Sequence, residues 1–214
     1  MVAEKLDTER YYRVEASDVQ GLSSSDTSET DPTLLPHVFY EKIGPGLRET
    51  QTVKTEISAI QVDNDEGHDM SRWTGNVELS DRIDTGGIIT EVKTGIIGSY
   101  YSVQKKPAGA TTKTDDMDRV TPQASIGWRA PVSLAGSSRS MVLEPRLQFA
   151  YIGGKDRSAD IPNRDSADYR IDEANLFLLN RYQGYDYLRP GSRADMGVSA
   201  VANDALVGDV TGFV

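Results

Sequence analysis

Cysteine is absent from this 214-residue chain, and histidine nearly so, with two copies. Without thiols there is no thiolate zinc site, no thiol nucleophile and no disulfide framework, while the redox compartment stays open. Basic residues are in deficit, 23 Lys and Arg against 33 Asp and Glu, for a formal net charge of −10. Phosphate neutralisation needs clustered Lys and Arg, so nucleic acid is set aside as a partner. Long apolar stretches are missing too. Runs such as that within Asn175-Leu-Phe-Leu-Leu-Asn180 reach four or five residues, against the roughly 20 that a bilayer-spanning helix requires. The first ten residues carry no apolar signal-peptide core, so the chain as written either is cytoplasmic or is not the whole protein. Low hydrophobicity, at 37% of residues, leaves one membrane class open, because a β-barrel alternates lipid-facing and lumen-facing residues.

What the chain does contain is alternation of period two, the strand signal. Trp73, Gly75, Val77 and Leu79 share one face of residues 72–80, opposite Arg72, Thr74, Asn76, Glu78 and Ser80. Over residues 141–152, Met141, Leu143, Pro145, Leu147, Phe149 and Tyr151 oppose Glu144, Arg146 and Gln148. Residues 120–129 set Val120, Ala124, Ile126 and Trp128 against Thr121, Gln123, Ser125 and Arg129. Further strands are expected at 11–16, 34–42, 52–62, 88–104, 193–202 and 206–214. Helical spacing is limited to one turn at 172–179, with Asp172 as its cap. The expected class is all-β. Strands of about 9–12 residues exceed the roughly 5–6 of soluble sandwiches and suit tilted membrane-crossing strands of about 9–11.

The expected connections, 17–33, 43–51, 63–70, 83–87, 105–118, 133–140, 153–192 and a tight turn at Asn203-Asp204, alternate between mostly long and polar and mostly short. An up-and-down outer-membrane barrel, with long outer loops and short inner turns, produces that parity. Tyr100, Tyr101, Trp128 and Tyr151 fall toward strand ends, where an interfacial aromatic girdle would sit, although strands are rich in such residues anyway. Pro36, Pro122 and Pro145 lie inside strand-like runs and mark local breaks in pairing, since proline cannot donate to the ladder.

Chemistry-bearing constellations are scarce. Asp63-Asn-Asp-Glu-Gly-His-Asp69 resembles the opening of a calcium loop, but Gly67 falls one place early and Thr74 stands where the bidentate Glu belongs, so a solvated loop is the simpler reading. His37 and His68 lack partners at ligand spacing. The pairs Asp115-Asp116 and Asp172-Glu173 have no readable glycosidase separation, and Ser137, Ser138 and Ser140 have no nucleophile-elbow context. No catalytic residue, metal ligand or cofactor site emerges. Gln123, Arg129, Glu144, Arg146 and Gln148 would form a polar lumen-facing wall if the apolar faces meet lipid, or face water in a soluble sheet; alternation alone does not separate the two.

Several segments resemble a known family. Thr121-Pro-Gln-Ala-Ser-Ile-Gly-Trp-Arg-Ala-Pro131, Leu143-Glu-Pro-Arg-Leu-Gln148 and Ile161-Pro-Asn-Arg-Asp-Ser166 look like successive signatures in the barrel of the LPS-assembly outer-membrane family LptD, in its alphaproteobacterial form. Most specific is Asp172-Glu-Ala-Asn-Leu-Phe-Leu-Leu-Asn-Arg-Tyr-Gln-Gly-Tyr-Asp186, followed by Gly191-Ser-Arg-Ala-Asp-Met-Gly197. The residues that match are Asn175, Leu176, Phe177, Asn180, Arg181, Gly184, Tyr185, Asp186, Gly191 and Arg193. Leu34-Leu-Pro-His-Val-Phe-Tyr40 is similar to the family's Leu-Pro strand. The resemblance covers roughly residues 10–214 and is strongest in the last hundred.

It implies antiparallel up-and-down strands forming part of a transmembrane β-barrel in the cell outer membrane, and a translocon rather than an enzyme. Lipopolysaccharide would arrive from the periplasmic bridge protein LptA through an N-terminal jellyroll domain. It would leave by a lateral opening into the outer-membrane lipids, with the lipoprotein LptE plugging the barrel. Residues 1–214 are expected to be one partial barrel domain, without the jellyroll domain and without the strands flanking the lateral opening. The connection 153–192 is expected to pack against or into the barrel mouth. Another outer-membrane barrel, such as a porin or receptor, and a soluble extracellular β-sandwich binding module remain as alternatives.

Overall fold

Strands that alternate this regularly, separated by turns, pair with their sequence neighbours. The computed structural model, which describes residues 1–18, 33–64, 67–106, 113–136, 139–157, 159–166, 171–172, 175–182, 184–204 and 208–213, is one antiparallel sheet. Its strands are β1 (Val2–Leu6), β2 (Arg10–Asp18), β3 (Thr33–Pro45), β4 (Gln51–Asp63), β5 (Gly67–Thr85), β6 (Ile88–Lys106), β7 (Lys113–Arg129), β8 (Val132–Ala135), β9 (Arg139–Ile152), β10 (Gly191–Asp204) and β11 (Gly208–Phe213). Each pairs with the next in order, except that β7 and β8 both pair with β9. They do so in one continuous register, Arg129 opposite Arg146 and Val132 opposite Leu143. β7 and β8 are therefore a single strand interrupted at Ala130–Pro131, opposite Pro145. The Ala130 N–H still donates to the Pro145 carbonyl at 3.2 Å.

The prolines account for other irregularities. Pro36 sits where the register of β3 slips between Leu34 and His37, a bulge, which is where a strand tolerates a residue without an N–H. Pro122 lies one residue beyond the end of the β7–β9 ladder at Gln123, and its carbonyl accepts the Gly153 N–H at 2.8 Å. β5 and β6 are joined by Gly86-Gly87, with φ of 62° and 85°. Two consecutive positive φ values make the tight hairpin turn that only glycine adopts without strain.

Several boundaries move from their expected places. β5 begins at Gly67, so the connection after β4 is short rather than the expected 63–70, and β7 begins at Lys113 rather than 120. In both cases the polar outermost residues stay paired across the hairpin, His68 with Lys105 and Asp116 with Ser102, and polarity alone concealed them. β1, with no buried residue, was not anticipated. The turn at 172–179 is present only as hydrogen bonds from Leu176 N–H to Asp172 O and from Leu178 N–H to Asn175 O. Ser137, Ser138 and Glu173 lie outside the described residues.

The two faces of the sheet are unlike. The described part of the connection 153–190 between β9 and β10 folds back over one face, and among the described residues nothing covers the other. Along β5 the bare face carries Trp73, Gly75, Val77 and Leu79, with Trp73 63% and Val77 47% exposed, while the covered face buries Arg72, Thr74 and Asn76. The same inversion runs through β7, where Val120 is exposed and Thr121, Gln123 and Ser125 are buried, while β6 is mixed, exposing Ile88 and Ile96 but burying Ile89 and Ile97 with Ser99 on the covered face. A sheet with its apolar side outward and its polar side inward is built for lipid, not for water.

Beyond Trp73 and Tyr100, which pair with each other, the sidedness reverses. The bare face becomes Ser71, Asp69, Ser102 and Gln104, while Met70, Tyr101 and Val103 turn onto the covered face. There they bury with Ile60, Val62 and Ile161 in the hydrophobic cluster of the molecule. The ends of β4–β7 thus follow the rule of a water-soluble protein and the rest follows the rule of a membrane. Of the four aromatic residues expected in a girdle, Tyr101 alone lies on the covered face. It is 0% exposed on the covered face, because consecutive residues of a strand point to opposite sides and Tyr100 already occupies the outer one.

Candidate functional site: a strap clasped to the polar wall

The connection 153–190 is held to the sheet by two clusters of charge. The first joins its two matched segments to each other. Asp165 and Asp186 exchange backbone bonds, the Asp165 N–H donating to Asp186 Oδ2 and the Asp186 N–H to Asp165 Oδ1, both at 3.1 Å. Asp186 Oδ2 also accepts the Arg164 N–H at 2.8 Å, and Asp165 Oδ1 the Tyr185 N–H at 3.1 Å. The close approach requires Gly184. Its φ is +78°, and a Cβ there would stand 2.4 Å from the Asp165 carboxyl.

The clasp is fastened to the wall by two arginines. Arg72 of β5, 1% exposed, donates from Nη1 to Asp165 Oδ2 at 2.5 Å and to Asp186 Oδ1 at 2.7 Å. Arg119 of β7 donates to the Asp186 carbonyl at 2.9 Å, to the Tyr185 carbonyl, and to the Tyr101 hydroxyl at 2.8 Å. Tyr101 in turn donates to the Tyr185 carbonyl at 3.0 Å, and the Tyr185 ring lies 5.3 Å from the Arg72 guanidinium. Arg72 thus serves two carboxylates in a dry setting, where unpaired charge is costly. Burial works to raise the Asp165 carboxyl, but Arg72 and the hydrogen bonds it receives hold it below the usual carboxylate range. The Asp186 carboxyl is pushed up, by burial first and by the charge of Asp165 second, against the pull of Arg72. Burial, with Glu56 adding to it, raises the Tyr185 phenol.

The second cluster lies lower on the wall. Asp195 of β10, opposite Gln148, accepts from Arg181, from Arg193 Nε at 3.0 Å and from Gln148 Nε2 at 3.3 Å. Arg193 also donates to the carbonyls of Leu178 and Leu179. Asn180 donates to the Gly184 carbonyl at 3.4 Å. Asn175 and Asp172 cap one another, each backbone N–H donating to the other's side chain, at 3.0 and 3.2 Å. Leu176 follows in that turn, and the Phe177 ring lies 5.7 Å from the Arg146 guanidinium. Gly191, with φ of 140°, opens β10.

All five wall residues read from alternation share the covered face. Gln123 and Gln148 are buried there, Arg129 and Arg146 are register partners, and Glu144 lies 2.6 Å from Arg146 Nε and 3.6 Å from Arg129 Nη1. Of the matched loop residues, Asn180, Arg181, Gly184, Tyr185, Asp186 and Arg193 meet in the strap's contacts. Arg72, Arg119 and Tyr101 were missed as anchors. The available signal was an arginine in mid-strand on the polar face, which alternation marks but does not explain.

His37 faces Ser58 at 3.4 Å. In the segment resembling a calcium loop, of which residues 65–66 lie outside the described part, the Asp69 carboxylate accepts the Asn64 N–H at 2.9 Å. No group of three His, Asp or Glu able to hold a metal occurs among the described residues.

An antiparallel up-and-down sheet, apolar on its bare face and polar beneath a folded-in connection, has the pattern of part of a β-barrel of the outer-membrane class. A model of the LptD family, LPS transport system D, matches residues 6–205, and the chain belongs to that family. It is similar to the LPS-assembly protein LptD of Azoarcus sp. strain BH72, 26% identical over 149 residues, which are 67% of this chain and 18% of that protein. The namesake from Escherichia coli K12 is 30% identical over 143 residues, 63% of this chain and 18% of that protein. That of Shewanella denitrificans is 28% identical over 94 residues, 42% and 12% respectively. The chain spans less than a fifth of the length of these relatives. The family is one of transport and assembly, not of catalysis.

Proposed function

We propose that this chain forms part of the wall of the translocon that inserts lipopolysaccharide into the outer leaflet of the outer membrane. The observation that carries the reading is the inverted sidedness of β4–β7 and β9, apolar outward and polar beneath the strap, in a chain whose relatives are named for lipopolysaccharide assembly. An amphiphile with sugars and acyl chains needs both environments at once, and such a wall offers lipid on one side and hydrogen-bonding groups on the other. Gln123, Arg129, Glu144, Arg146 and Gln148 belong to the lumen side. The end bearing the long connections faces the cell exterior, as in barrels generally. The strap then hangs from the outer rim and lines the lumen. A plug lipoprotein, LptE, and the bridge protein LptA are the partners this role calls for, the latter through a domain other than this sheet. Depleting the full-length protein in cells tests the reading. Newly made lipopolysaccharide should stop reaching the surface, as measured by surface labelling. Undiminished arrival under depletion overturns the role.

A further inference from the structure

The bare face holds a feature that the lumen-side reading does not use. Across β6, β7, β9 and β10 it dips into a shallow, open hollow of about 650 Å³. Two adjacent rows of the sheet make it. Thr94 pairs with Ala124 and Ala124 with Tyr151, and in the next row Ile126 pairs with Phe149 and Phe149 with Ala194. Small side chains, Thr94, Ala124 and Ala194, form the floor, and Ile126, Phe149 and Tyr151 stand as walls. None of the six is charged. The Trp128 ring lies 6.2 Å from that of Phe149 and edge-on to it.

We infer that this hollow seats an acyl chain of lipopolysaccharide lying in the outer leaflet against the wall. The inference rests on the proposed function. Three observations select the occupant. The hollow is continuous with the apolar outward face, so hydrocarbon rather than water or protein is what meets it. Lys93 and Arg193 also border it, but their charges turn to Glu91 and Asp195 on the covered face, so the outward walls and floor offer none to a headgroup. Tyr151, paired with Ser192, is the last outward residue of β9 before the long connection, so on β9 and β10 the hollow reaches the strand ends that adjoin that connection, on the side where lipopolysaccharide is delivered. Aromatic walls around a floor of small residues hold a chain in place, where a uniformly packed face would let it slide.

The test uses the full-length protein, extracted from outer membranes in mild detergent, with co-purifying lipopolysaccharide and phospholipid quantified by mass spectrometry. The double substitution Ala124→Leu with Ala194→Leu fills the floor, and Val77→Leu, on the same face outside the hollow, is the control. Lipopolysaccharide per protein should fall about tenfold in the double variant, the change that 1.4 kcal/mol produces, and stay level in the control. Should the double variant fail to assemble, Ala194→Leu alone gives the same comparison. Equal lipopolysaccharide in all variants, or loss of phospholipid only, overturns the inference. If the filled variants keep their lipid while depletion still blocks delivery, the hollow fails and the translocon role stands.

Discussion

Arg72 shows how much one side chain decides. It sits in the middle of a strand, its guanidinium closed in by Ser58, Tyr185 and two carboxylates. A buried arginine removed from such a site leaves its partners charged and unpaired, which costs about 3–5 kcal/mol. Arg72→Met should lower the stability of the folded wall by that amount, read as the shift in urea midpoint of the protein in micelles. It should also expose residues 153–190 to protease. An unchanged midpoint together with an intact connection would show that the clasp contributes nothing. Gly184 is the complementary case, a position defined by the absence of a side chain, since any Cβ would enter the Asp165 carboxyl.

At the scale of the element, the strand is the unit that reads two solvents. β5 runs 19 residues, about twice the roughly 9–11 that cross a bilayer, and uses the excess to carry Met70 to the hydrophobic cluster under Ile161. Its lipid-facing stretch is open to direct trial. Val77→Arg places a cation in the apolar band and should cost about 2–4 kcal/mol near the midplane. Glu78→Gln, one residue along on the covered face, should stay within about 0.5 kcal/mol. Equal effects in a micelle-unfolding series would mean that the faces do not differ in solvent. The connection 153–190 is the other distinctive element. Much of its hold on the wall is polar, so it is placed by specific partners rather than by general burial.

For the whole molecule the two ends of the sheet matter. β1 and β11 each have one neighbour, and a sheet edge without a partner presents a row of unmade hydrogen bonds that lipid cannot satisfy. With its apolar face also bare, the 214-residue chain should gain β-structure by circular dichroism only in micelles and precipitate from plain buffer. A monomeric, cooperatively unfolding species in buffer would sink the membrane assignment.

The all-β class, most strand centres and the membership of each face were legible in the chain, because side-chain direction alternates residue by residue and needs no distant partner. So was the tendency for long and short connections to alternate. Alternation could not say which face meets lipid, since a soluble sheet would carry the same pattern. That was decided when the connection after β9 folded onto the polar side. Nor could it find the clasp: Asp165 and Arg72 are 93 residues apart, Asp186 and Arg72 114, and no local propensity links them. Tyr100 and Tyr101 make the division plain. As neighbours in sequence they look alike, yet the pleat sends one to the membrane boundary and the other beneath the strap, and only the pairing of β6 with β5 and β7 determines which.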